Sequence, residues 1–460
     1  MPEKLKRRTL PDELMFADPR KWFRAYSKLP EGEQYDWIME TLDWKLAPDF
    51  FETLPFAECI FELAERKDPS KYAALIRKLR YHPDFHREEF QYFEDELAAY
   101  HLFLDEEHKA AESLRYYMEA PVKGIDQLIQ LVQLLVYYRK MDLAVECARQ
   151  TYEEIVASPE LLDGAGEPFA DLMFMWRFQQ AYVHIKNGQE VDWRALQQEL
   201  EGYDIVMEDE VLERNRAAVS RLSSEDEILL SDYPIDERNG SGLFRRDNMW
   251  KFVKQMHDRK QMDFPLGEAI WLGAFRFLME RKKRKRSILT WEDWFIFSER
   301  ELEAYLARMA GGFFSNRQAE TFAVLWGMPY VYDFLFERNV ISEKLHINAL
   351  RQVARLKTKM RNAYRDELWK YAFVDRWPAA DYVEREFLET EDNEEDDLDL
   401  LYNEDDDYDP EYDDEDGDKI WSNPSYGEPL KERRGDSTKV KQKKKKARKE
   451  AKNQRKKNRK

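Results

Sequence analysis

The residues best spaced for chemistry are His82 and His86, four apart and followed by Glu88 and Glu89. Two imidazoles at that interval share one side of a helix, and with a carboxylate they could hold zinc. Pro83 undoes the arrangement, because it follows His82 directly and biases that residue away from helical backbone. The pair therefore reads as a surface turn, and no metal ligand is assigned. Cys59 and Cys147 lie far apart and form no CxxC pair, which supports neither a disulfide framework nor a cysteine zinc site. Cys59 shares a repeat frame with Leu97 and Leu135, the place of a packed thiol. The sequence contains no glycine-rich phosphate loop, no G-x-S-x-G and no H-E-x-x-H. Among 93 Asp and Glu no acid–base dyad stands apart. The expectation is a chain with no catalytic residue, no cofactor and no identifiable small-molecule substrate. An enzyme with a site in residues 247–374 stays open as an alternative.

Charge is the stronger signal, because it is segregated. Residues 389–418 hold 19 Asp and Glu before the first cation, Lys419, whereas residues 439–460 hold 14 Lys and Arg against Glu450. With those tracts and the +1 between them set apart, residues 1–388 keep −14 of the chain's −19. An acidic body repels nucleic acid, so a polyanion contact must come from local basic patches. The tail supplies Lys443, Lys444, Lys445, Lys446, Arg448, Lys449, Arg455, Lys456 and Lys457, with no aromatic residue among them. Such a run grips a phosphate backbone without reading bases. In a eukaryote it could equally serve as a nuclear signal. A second, internal patch is drawn from Arg284 and Arg286, in the basic run after an apolar helix, and from Lys357, Arg361 and Arg365 along one helix. Its bland reading is a solvated face with a helix-end charge cluster.

The elements behind these residues are helical. Aromatics make up 14% of the chain, and Gly plus Pro only 34 of 460 residues, the composition of long packed helices. Pro83, Pro121 and Pro159 stand 38 residues apart. Each closes the same triplet: Tyr72, Ile76, Leu79; Ala110, Leu114, Tyr117; Ala148, Tyr152, Ile155. Apolar residues at offsets of four and three share one helical face, and a proline ends the helix. Such units bury their stripes by stacking on neighbours. Helix pairs are expected over 91–105 with 108–119 and over 124–140 with 142–157. Asn187-Gly188 marks a helix stop, and Thr290 with Asp293 and Ser315 with Gln318 mark helix starts.

The order Ala148, Tyr152, Ile155, Pro159, with Tyr138 on the preceding helix, resembles the tetratricopeptide-repeat consensus over residues 60–160. The period here is 38 against the family's roughly 34. The resemblance implies an α-α superhelix with a concave groove for a protein partner, and it transfers no binding residue.

The expected fold is all-α: a superhelix of such pairs, a second helical domain and a disordered charged C-terminal tail. The boundaries are an extension over 1–18, the repeat domain 19–205, a linker 206–246, the second domain 247–388, an acidic linker 389–438 and the basic tail 439–460. No membrane association is expected, because the most apolar window, Leu266 to Met279, is too short and contains Glu268 and Arg276. With two isolated cysteines and a charged start, the expected location is cytoplasmic. The functional expectation is a non-catalytic scaffold or adaptor for protein partners, with the tail contacting RNA, ribosomes or another polyanion. The alternative is a nucleic-acid-binding or chaperone protein that works through its acidic and basic tracts.

Overall fold

The computed structural model describes residues 18–46, 50, 69–221, 228–234, 239–280, 290–311 and 317–382. Cys59, Arg284, Arg286, Ser315, the acidic tract and the whole basic tail lie outside them. Every regular element among the described residues is helical, and none is a strand. No described helix is long and apolar enough to cross a membrane.

The helices are α1 (Pro19–Tyr26), α2 (Glu31–Thr41), α3 (Pro69–Leu79), α4 (Pro83–Glu89), α5 (Glu94–Phe103) and α6 (Glu107–Glu119). They continue with α7 (Ile125–Tyr137), α8 (Met141–Ala157), α9 (Glu167–Lys186), α10 (Trp193–Glu201) and α11 (Asp209–Ser220). The later ones are α12 (Asn239–Lys260), α13 (Phe264–Glu280), α14 (Trp291–Phe295), α15 (Glu299–Gly311), α16 (Gln318–Glu337) and α17 (Glu343–Ala363), followed by a 3₁₀ segment, Leu368–Arg376.

All nine residues of the three triplets are buried. Each helix of α5 to α8 packs on the next in sequence, while α5 also meets α7, and α6 meets α8. Two layers result, each helix covering the stripe its neighbour cannot bury alone. The turns repeat as well. Asp105 and Arg139 both take positive φ (59° and 61°) just past their helices. The next amide in each case reaches back to close a Schellman motif: Glu106 N–H to His101 O at 2.8 Å and Lys140 N–H to Leu135 O at 2.8 Å. Gly188, at φ 70°, ends α9 where the Asn-Gly pair placed the stop. Replacing Leu114, 2% exposed, with alanine should cost about 2–5 kcal/mol. An unchanged melting curve would count against the stacked frame.

Residues 206–246, read as a linker, carry α11 and the first residues of α12. They feed Met207, Leu212, Val219 and Phe244 into a hydrophobic cluster that runs from Phe90 to Trp377. The Asn239-Gly-Ser-Gly242 turn signal is overridden, because α12 must begin there to bury Ser241, Phe244 and Asn248. A separate cluster, around Trp22, Trp37 and Leu79, underlies the N-terminal helices. Beyond α9 the stacking passes to α13, which also packs on α12 and α16, and α16 packs on α15 and α17. Thr290 and Asp293 form the expected capping box. Ser298 and Glu301 form another of the same kind that the sequence reading passed over.

Candidate functional site

The histidine pair turns away from any shared ligand. Pro83 opens α4 at its first turn, so His82 sits outside the helix with Nε2 2.9 Å from Leu42 O. His86 Nε2 lies instead 2.6 Å from Glu94 Oε1. Arg80 completes this buried group: Nε donates to Glu94 Oε1 at 2.9 Å, and Nη2 donates to Oε2 at 2.7 Å and to Ser113 Oγ at 2.9 Å. Burial alone raises the Glu94 carboxyl, but the bonds from Arg80 and His86 outweigh it and hold Glu94 below the usual range. Both Glu94 oxygens are engaged inward, so the group ties α4, α5 and α6 to the turn that follows α3. Cys147 is fully buried, and burial pushes its thiol up to about 12, far from a nucleophile's poise. Asp333 and His346 form a second buried pair at 2.8 Å. The other Asp333 oxygen accepts from Asp381 N–H at 2.9 Å, which fastens residues 378–382 onto α16. Among the described residues no group of three or more His, Cys, Asp and Glu is gathered to hold a metal.

The face that α5 and α7 share, the inner face, is covered by residues 368–377. Trp369, Phe373 and Trp377, at intervals of four, insert against α5 and α7. Trp369 packs 5.8 Å from Tyr100, Phe373 stacks 5.0 Å from Tyr137, and Trp377 Nε1 donates to Tyr137 O at 2.9 Å. Lys370 donates to Glu96 Oε1 at 2.7 Å and Arg376 to Phe103 O at 2.6 Å. On its other side the segment stacks Tyr371 on Phe322 of α16, 4.1 Å between centroids. Residues 368–377 of this chain thus lie along α5 and α7.

Of the internal basic patch, Lys357 and Arg361 lie over the Trp326 ring at 5.3 and 5.4 Å, and Arg361 pairs with Asp375 at 2.6 Å. Arg365 is exposed just past α17. Lys357 and Arg361 are therefore anchored on Trp326 and Asp375, and the tail residues lie outside the described ones.

A different surface stands out at the proline end of the array. Residues 150–176 carry six carboxylates and residues 195–211 six more, with no Lys or Arg in either stretch. The two meet at Tyr152. Its hydroxyl donates to Asp204 Oδ2 at 3.1 Å, and its ring lies 4.9 Å from that of Tyr203. Gly166 lies so close that a Cβ there would meet Val156 Cγ2 at 2.8 Å and Tyr152 Cε2 at 3.0 Å. Around this junction Val156, Leu162 and Val206 are 48%, 88% and 82% exposed. The missing cations could have been counted in the sequence, but nothing in it says that the two stretches touch.

Comparison with protein-family models, with curated proteins and with solved structures finds no match for this chain.

Proposed function

We propose that the protein is a non-catalytic helical scaffold, built of tetratricopeptide-like pairs, that binds protein partners and uses its Lys/Arg-rich tail to contact RNA, ribosomes or another polyanion. The observation that carries the reading is the coexistence of stacked helix pairs with a rim that leaves Leu162 and Val206 in solvent. Single exposed apolar residues are ordinary, but Val156, Leu162 and Val206 lie on the two stretches that meet at the Tyr152–Asp204 bond, which supports an interaction surface there. With residues 368–377 filling the inner face, the reading places the partner on the rim. Cytoplasmic residence belongs to the same proposal. Cross-linking the full chain in cells and identifying the joined peptides tests it. Joined partner peptides support the scaffold, whereas the absence of any partner, with a chemical turnover found instead, removes it.

The acidic-then-basic order of the C-terminal tracts gives the tail a testable behaviour. Deleting residues 389–418 should strengthen RNA binding in a filter assay, because the nearby acidic tract competes with the nucleic acid, and deleting 439–460 should abolish it. Binding by the full chain should fall by about a thousandfold between roughly 50 and 200 mM salt if about six phosphates are engaged. Equal RNA binding with and without the tail would leave it a solubilising or targeting appendage.

A further inference from the structure

Several ion pairs bridge neighbouring elements of the described surface. Lys140 bridges Asp105 and Glu107, Lys359 bridges Glu299 and Glu303, and Lys186 holds Asp258. At the Tyr152 junction such pairs are few, and its cations, Arg149 and Arg177, lie over Trp176 at the edge of the first stretch. Of the twelve carboxylates, Glu199 alone meets described cations, Arg149 at 3.7 Å and Arg177 at 3.0 Å. Some of the rest have a local reason: Glu167, Asp209 and Glu210 occupy first turns of α9 and α11, where the helix dipole favours negative charge. Glu153, Glu154, Glu160, Asp163 and Glu201 have no such role, and each is exposed. The excess reaches inward too. Burial, and then Asp171, push Glu268 of α13 up to about 8.

The surface has relief as well as charge. A recess of about 570 Å³ opens between the α6–α7 turn and the α8–α9 loop, lined by Ala120, Val122, Glu154, Ala157, Pro159 and Glu160. Lys123 also borders it but is held by Glu88 at 3.5 Å and Arg87 O at 2.8 Å. An apolar rim with uncompensated carboxylates complements one chemistry, a segment that brings both cations and apolar side chains.

We propose that the junction of residues 150–176 with 195–211 is the docking surface for a cationic, amphipathic segment of a partner protein, whose apolar side chains cover Val156, Leu162 and Val206 while its Lys and Arg meet the flanking carboxylates. The inference rests on the scaffold reading and names the partner's chemistry. The chain's own tail has the right charge but brings only Val440, Ala447 and Ala451 as apolar side chains, too little to cover that rim.

The test uses the full chain and three labelled peptides in fluorescence anisotropy: a Lys/Leu helix with leucines on one face, a Glu/Leu helix of the same pattern, and residues 439–460. The Lys/Leu peptide should bind saturably and the Glu/Leu peptide should not. Leu162→Ser with Val206→Ser should weaken the Lys/Leu complex by about tenfold or more. Glu160→Gln with Asp163→Asn and Glu153→Gln should flatten its salt dependence. All five side chains are exposed, and melting curves confirm that the variants fold. Absence of saturation, or binding that both variants leave unchanged, overturns the proposal. Equally tight binding by the 439–460 peptide also overturns it, making the tail the occupant. If the peptides fail while cross-linked partners persist elsewhere, the scaffold reading survives and only this surface falls.

Discussion

Phe373→Ala should lower stability by about 3–5 kcal/mol, the range for emptying a fully buried aromatic site. Phe373 has no exposed surface. Its ring lies 5.0 Å from Tyr137, 5.7 Å from Tyr138 and 5.7 Å from Trp377. It therefore joins α7 to the segment that covers the inner face. The loss would be read from the denaturant midpoint at unchanged slope, with faster amide exchange in α5 and α7 than in α15. A variant as stable as the parent would mean that residues 368–377 form a dispensable lid, and the groove would return as a partner site.

The second large effect belongs to Glu94. Glu94→Gln should cost about 3 kcal/mol, the low end for breaking a buried ion pair, because Arg80 keeps 20% of its side chain in solvent. The deficit comes chiefly from stranding a guanidinium, so adding Arg80→Met should recover part of it in a double-mutant cycle. If the double variant is instead less stable by the sum of the two singles, the pair is not what holds the site. The pH dependence has a defined sign. Glu94 is held below its usual range, so its contribution is complete above the ordinary carboxylate range and is lost as pH falls through the lowered value. Asp95 works in the opposite direction. Burial and then Glu96 push it up to about 7, so its cost grows as pH rises from the ordinary carboxylate range towards that value. Glu94→Gln should therefore shrink the acid-side loss by the share of Glu94 and leave the decline towards neutrality in place, as urea titrations at several pH values would show.

What the sequence discloses is what is local. The triplets ending in Tyr117 and Ile155 reveal their burial because a helix face repeats within a few residues, and Asn187-Gly188 and Thr290 with Asp293 mark ends because caps are made by neighbours. Ser298 and Glu301 carried the same signal. The linker reading of 206–246 failed for a physical reason: Gly240 and Gly242 weaken a helix by only about 1 kcal/mol each, which the burial of Phe244 and Asn248 outweighs. The closure of the inner face was out of reach. Trp377 finds Tyr137 across 240 residues and Lys370 finds Glu96 across 274, and no periodicity encodes such a pairing. The acidic rim was half legible, since its composition can be counted while its assembly from two stretches needs the fold.

The filled inner face also sets an order of events at synthesis. Helices α5 to α8 make their contacts with near neighbours in sequence and can stack as soon as they are made, for short-range contacts close fastest. Their aromatic side, Tyr100, Tyr137 and Tyr138, must then wait for Trp369, Phe373 and Trp377. A chain terminated before residue 368 would leave Tyr100, Tyr137 and Tyr138 without these ring partners. The covering of that face therefore comes late in synthesis, after the array beneath it.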